Sequence, residues 1–340
     1  MPHRREQTSK RFASLFDWRS YLLSCAFVFV LAPHAHAQRA VKDNNYLAVQ
    51  RLLEQPDDKI DLARTKLEVD RMIDPSIDVE ATLALLDKMT KGIQAQLPPG
   101  ASDRTKLEIL RELVYKPNSW NNQRPFEYDL QDPLGKIPKN RLLTTYLATK
   151  KGNCISMPLL FVILGQRIGL DMTTARAPNH VFVKWRDKDG QYYNLETTSG
   201  AGFTRDVWMQ QQSNITPEAI KSGIYMRPQT RKEAVAAIPE ILLEKYWDDG
   251  DLQKELALTE LLEKYNPKSI TLILSKHNIS VAMLRTEFVQ KYSRPIDIPA
   301  NLQPRYHELQ AKMKGYESQA LALGWRPQDP KTDDPPFKQK

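Results

Sequence analysis

The chain has 340 residues, 41% of them hydrophobic, which is enough for one large domain or two modest ones around a substantial core. Its net charge is +8, but the signs alternate and no basic block carries interleaved aromatics, which argues against nucleic acid as a partner. No Cys-x-x-Cys, His-Glu-x-x-His or acidic metal cluster is present, and no Gly-rich loop opens a helix, so neither metal nor cofactor is expected.

Residues 1–37 read as a secretory signal peptide. A basic, polar segment from Arg4 to Arg19 precedes an apolar run from Tyr21 to Ala32. Ala35-His36-Ala37 then offers small residues at the two positions a signal peptidase reads. The run falls short of the about 20 apolar residues that span a bilayer. Cleavage is expected after Ala37, leaving a periplasmic or secreted protein with no membrane span. Arg4, Arg5, Lys10, Arg11 and Arg19 against Glu6 and Asp17 leave about +5 on the remainder, compatible with an anionic partner such as a cell-wall polymer.

Residues 38–115 form an N-terminal helical region. One amphipathic stretch runs from Ile60 to Met72. A second runs from Asp78 to Leu97, with Leu83, Leu85, Leu86, Met89 and Ile93 as its buried stripe. Pro98-Pro99-Gly100 breaks it, and Ser102 caps a third helix through Leu107, Leu110, Leu113 and Val114.

Residues 116–230 form the core. Lys116 to Lys139 lacks periodicity and reads as a long loop, a length more often functional than idle. A short helix covers Leu142 to Leu147. Met157 to Leu170 is apolar almost all round, as in a central helix. Met172–Arg176, His180–Trp185 and Gln191–Glu196 are strands, the last two joined by Asp187-Lys188-Asp189-Gly190. From 231 to 325 the chain is helical again, in pieces at Ala234–Tyr246, Leu252–Tyr265, Ile270–His277 and Tyr306–Leu323. That cadence is tetratricopeptide-like, and a single helical hairpin fits equally. Residues 326–340 read as a disordered tail. The expected class is α+β.

The chain has two cysteines, and Cys25 leaves with the signal. Cys154 is then a lone thiol in an oxidising compartment, where cysteines are normally retained in pairs. It lies in Gly152-Asn153-Cys154, at the entry to the apolar helix, with Asn153 as candidate cap. A helix N-terminus and a neighbouring imidazolium both favour the thiolate, which is the nucleophile. Pro158 suits only the first helical turn, which moves the helix start towards Ser156. Of the three later histidines, His277 and His307 sit in polar helical surroundings and read as surface residues, whereas His180 opens a strand beside the cysteine helix. Period two places Asn194 and Glu196 on one face of the paired strand, so either could orient His180. Glu196 is preferred and Asn194 is the alternative.

Gly-Asn-Cys154, Pro-Asn-His180-Val-Phe-Val and Tyr-Tyr-Asn-Leu-Glu196-Thr-Thr together resemble the core of the transglutaminase-like branch of the papain-like superfamily. In that pattern an Asp occupies the place of Glu196, so the charge is kept and the reach lengthened. Ile60-Asp-Leu-Ala, Ile77-Asp-Val-Glu and Leu97-Pro-Pro-Gly resemble the bacterial SirB-type members, which often carry tetratricopeptide-like helices afterwards. The likeness covers roughly residues 53–200. It implies a cysteine helix packed on a small antiparallel sheet, with Cys154, His180 and Glu196 as catalytic residues. It also implies an oxyanion hole made by the cysteine N–H and an upstream side chain: Trp120, Asn121, Asn122, Gln123 or Tyr128. The expected activity is that of a cysteine peptidase, amidase or acyltransferase on a peptide, protein or cell-wall substrate. The alternative is an inactive scaffold that binds a protein partner through its C-terminal helices.

Overall fold

A computed structural model describes residues 41–327. The expected signal peptide, with Cys25, and all but Arg326 and Pro327 of the expected tail lie outside the described residues. Four helices in succession start at a side chain that accepts an otherwise unpaired backbone N–H: Asp43 for α1 (Asn44–Glu54), Asp61 for α2 (Leu62–Ile73), Asp78 for α3 (Val79–Gln94) and Ser102 for α4 (Asp103–Tyr115). Each such cap is worth about 1 kcal/mol. α3 buries Leu83, Leu86 and Ile93, but Leu85 is exposed, because the stripe that meets the core is narrower than the apolar pattern.

The aperiodic stretch after α4 is largely irregular, with one departure from expectation. Glu127–Tyr128 forms a short strand, β1, which pairs in parallel with β2 (Lys151–Gly152) across α5 (Leu143–Thr149). The far end of this stretch is anchored by buried charge. Lys66 pairs with Asp70 and donates to the Arg141 carbonyl at 2.9 Å, Asp70 accepts the Leu143 N–H, and Arg141 grips Glu244 with both guanidinium nitrogens.

α6 (Ser156–Arg167) is the central element, with every residue from Ser156 to Gly165 buried. Its start at Ser156 puts Pro158 in the first turn, where a missing N–H costs no hydrogen bond. α6 packs on a four-stranded antiparallel sheet in the order β3 (Asp171–Ala177), β4 (His180–Arg186), β5 (Tyr192–Glu196), β6 (Gly202–Thr204). Val183, Trp185 and Leu195 join the core shared with α6, while Ala175, Ala177 and Phe182 join a second cluster on the other side.

α7 (Asp206–Gln212) and α8 (Pro217–Ser222) cover that second side. The stretch expected as one helix from Ala234 divides at Pro239 into α9 (Arg231–Ala237) and α10 (Glu240–Asp249), since proline cannot continue a helix. α11 (Leu252–Glu263), α12 (Ile270–Leu284) and α13 (Gln303–Ala322) complete the described chain. α12 runs past His277, which is buried rather than superficial: α13 packs along α12, and the His277 Nδ1–H donates to the Met313 carbonyl at 3.0 Å. His307 is exposed. The class is α+β, and no helix among the described residues is long and apolar enough to cross a membrane.

Phe161 is fully buried in α6 and stacks on Tyr115 of α4 with ring centroids 5.7 Å apart. Phe161→Ala is expected to cost about 3–5 kcal/mol of stability, read from urea denaturation.

Candidate active site

The approach to Cys154 depends on glycine. β2 ends at Gly152, where a Cβ would stand 2.5 Å from the Tyr146 ring and 2.7 Å from Met157 Cγ, so only a residue without a side chain passes between them. Asn153 follows, fully buried, and its Oδ1 accepts the N–H groups of Ile155 and Ser156, both at 3.1 Å. Its carbonyl accepts the Met157 N–H at 3.1 Å. Asn153 therefore caps α6 and holds Cys154 at the helix entrance, where the unpaired N–H groups and the positive end of the dipole lie.

His180 is delivered by a two-residue turn. β3 and β4 pair through Ala177 and His180, leaving Pro178 and Asn179 between them. Proline fixes the first corner, and Asn179 adopts φ 53°, the combination of a type II turn. The turn aims the Asn179 carbonyl at the thiol, with Cys154 Sγ 3.8 Å away. The His180 side chain is buried, and its Nε2 lies 2.7 Å from Glu196 Oε2. With Nε2 engaged, Nδ1 is the ring nitrogen left to face the cysteine, whose side chain hydrogen-bonds the imidazole.

The other Glu196 oxygen, Oε1, accepts the Thr198 hydroxyl at 2.6 Å and the Thr198 N–H at 3.1 Å. Thr198 thus folds the longer glutamate arm back and fixes its direction. Asn194 is engaged elsewhere: its Nδ2 donates to Asp206 Oδ1 at 2.6 Å, and Lys184 meets the same oxygen at 3.3 Å. Of the two side chains that period two places on one face, Glu196 is the one that meets His180.

The five upstream side chains fare differently. Trp120 Nε1 donates to the Met89 carbonyl at 3.3 Å, and Asn121 Nδ2 donates to the Leu113 and Lys116 carbonyls. Asn122 and Gln123 are exposed, at φ 58° and 59°. Tyr128 Oη donates to the Pro133 carbonyl at 3.0 Å, and the Cys154 N–H donates to that same oxygen at 3.5 Å. Pro133 and Thr198 carry no signal in the sequence on their own. The spacing Glu-x-Thr, a carboxylate two residues before a hydroxyl, is the nearest to one for Thr198.

Residues 80–235 match a family model described as the transglutaminase-like superfamily. This stretch is a transglutaminase-like domain. It contains Cys154, His180 and Glu196 and ends within α9, before most of the C-terminal helices. The match is to the superfamily and does not reach the SirB-type branch or the tetratricopeptide-like reading. Comparisons with curated proteins and with solved structures gave no match. Among the described residues, no group of three His, Cys, Asp or Glu could hold a metal ion.

Within the transglutaminase-like domain, burial opposes a charge on His180. The Glu196 carboxylate, hydrogen bonds to Cys154 and Glu196, and the charge of Cys154 outweigh it and raise the imidazole to about 9. Burial likewise pushes Glu196 up, but the facing imidazole and both Thr198 bonds hold it below the ordinary carboxylate value. At neutral pH the pair is ionic, and an imidazolium is the neighbour that a nucleophilic thiolate requires.

Glu196→Gln keeps the shape and removes the charge. The carboxylate charge that offsets burial is then gone, and His180 is expected to fall from its native value of about 9, read by chemical-shift titration of the imidazole. Stability follows the same pair. The His180 contribution is complete below 6.5 and is lost as pH rises through about 9. The Glu196 contribution is complete above its ordinary 4.5 and is lost as pH falls through the depressed folded value. The stability excess of the native chain over Glu196→Gln is expected to peak between 4.5 and 6.5 and to decline on either side.

Proposed function

We propose that the protein is an exported thiol enzyme that breaks amide bonds through an acyl-enzyme on Cys154. The observation that carries this reading is the buried 2.7 Å contact between His180 and Glu196, set beside a thiol at a helix entrance. Burying two ionisable groups costs several kcal/mol each unless they compensate one another. A fold with no use for the charge would be served as well by apolar residues there.

In this reading Cys154 Sγ, as thiolate, attacks the carbonyl carbon of a peptide, protein or cell-wall amide. A C–S bond forms and the carbonyl oxygen takes up negative charge. His180 passes its Nδ1 proton to the departing amine as the C–N bond breaks, leaving a thioester. His180 then takes a proton from water, whose oxygen attacks the thioester and releases the acid and the thiolate. Capture by an amine in place of water makes the same site a transferase. Glu196 holds the ring orientation and stabilises the imidazolium throughout. Export places the site in the periplasm or outside the cell, and the C-terminal helices offer a surface for a protein partner.

Comparing iodoacetamide labelling of Cys154 at pH 6 in the native chain and in His180→Ala tests the reading. Labelling is expected to be at least about tenfold faster in the native chain, because the imidazolium beside the sulfur favours the attacking thiolate and His180→Ala removes it. Equal rates would sink the enzyme reading and leave the inactive scaffold.

A further inference from the structure

We infer that Tyr128 Oη and the Cys154 N–H form the oxyanion hole, and that the protein's own Pro133 carbonyl occupies it, so the 129–137 loop is a built-in plug that substrate must displace. This rests on the thiol-enzyme reading of Cys154. An oxyanion hole is defined by donors that converge on one point beside the nucleophile. The backbone N–H of Cys154 and the Tyr128 hydroxyl meet at a single oxygen, that of Pro133. A substrate carbonyl polarised by the same two donors would have to sit where the Pro133 oxygen now sits.

Tyr128 is suited to the role. Burial first, and then the charges of Cys154, Glu196 and Asp132, hold its hydroxyl protonated well above the usual tyrosine range, so it remains a donor as charge builds on the substrate. β1–β2 pairing fixes its position: Tyr128 is opposite Gly152, two residues before the thiol.

The plug is braced by Asp132, which is itself buried. Asp132 Oδ1 accepts the Lys136 N–H at 2.7 Å, while Oδ2 accepts the Ile137 N–H at 3.1 Å and Asn140 Nδ2 at 2.9 Å. Gly135, at φ 62°, lies against Asn153 and Arg141, where a Cβ would come within 2.8 Å of each. The loop thus rests directly on the residue before Cys154, and the cysteine is only 3% exposed. On its outer side, Leu130 is largely exposed and Ile137 about half exposed, so little packing is lost there when the loop lifts. The Cys154 contact to Pro133, at 3.5 Å, is at the long limit of a hydrogen bond, so releasing it costs little.

Two probes separate access from oxyanion stabilisation. Alkylation by iodoacetamide needs only an accessible, activated thiol. Acylation by p-nitrophenyl acetate, in which sulfur displaces p-nitrophenolate from the acetyl carbon, needs the oxyanion donors as well. Asp132→Ala is expected to raise both rates in parallel by about tenfold or more, because the three hydrogen bonds that its carboxylate accepts are lost from the closed state. Tyr128→Phe is expected to raise alkylation while lowering acylation relative to it by about 100-fold or more. A merely structural tyrosine would move both rates the same way. Each loop variant is measured with His180 intact and as His180→Ala, with circular dichroism as the check on folding. The plug is overturned if neither variant raises alkylation in either background, and the oxyanion role if Tyr128→Phe leaves the ratio of the two rates unchanged. Failure of the enzyme reading has a different signature: His180→Ala without effect in every loop background.

Discussion

The contact between His180 and Glu196 is the constraint on which the rest of the site depends. Both side chains are almost fully withdrawn from water, and neither charge is tolerable there alone. Each is acceptable because the other is 2.7 Å away, and because Thr198 satisfies the remaining glutamate oxygen with two hydrogen bonds. This sets strict demands on the backbone. β4 and β5 must pair in the register that sets Val183 opposite Leu195, and the turn at Pro178-Asn179 must deliver His180 at the strand's first position. A slip of one residue would turn one of the pair to the opposite face and strand both charges.

The cysteine segment answers to a second set of demands, and α6 is where the two sets meet. Its first residue fixes where Cys154 stands, and its buried length fixes how that end lies against the sheet. Asn153 bonds the first free N–H groups of α6 with its side chain and the Asn140 carbonyl with its amide. It therefore ties the helix entrance to the upstream loop. Gly152 lets the chain reach that point through a gap bounded by Tyr146 and Met157. The chemistry-bearing groups come from three separate elements, and the packing of α6 holds them in reach of one another.

Much of this was legible in the sequence, for reasons that can be named. Helical period, the caps at Ser102 and Asn153, and a proline tolerated only in a first turn all report on local backbone, and local backbone is what short-range pattern encodes. Alternation placed Asn194 and Glu196 on one face but could not choose between them. The choice depends on Asp206, which arrives from α7 and takes the Asn194 amide. Leu85 and His277 misled for a related reason: burial depends on which neighbour covers a face, and α13 reaches His277 from far along the chain. Pro133 was invisible because its part is played by a backbone carbonyl. Every residue has one, and only the path of an aperiodic loop decides where it points.

That loop changes the meaning of the buried thiol. A reactive cysteine exposed in an oxidising compartment is open to sulfenic acid formation and mixed disulfides, and susceptibility rises with thiolate character and access together. In the proposed thiol enzyme the features that activate Cys154 cannot be removed without removing the chemistry, so access is the variable left for the fold to control. In that reading the Pro133 carbonyl on the two donors, carried by a loop that rests on Asn153, closes access with polar contacts that a substrate amide would replace in kind. An apolar cover would have excluded water equally well but would have left both donors unsatisfied when closed. A backbone carbonyl satisfies both donors and also resembles the amide that the proposed reaction would bring to them.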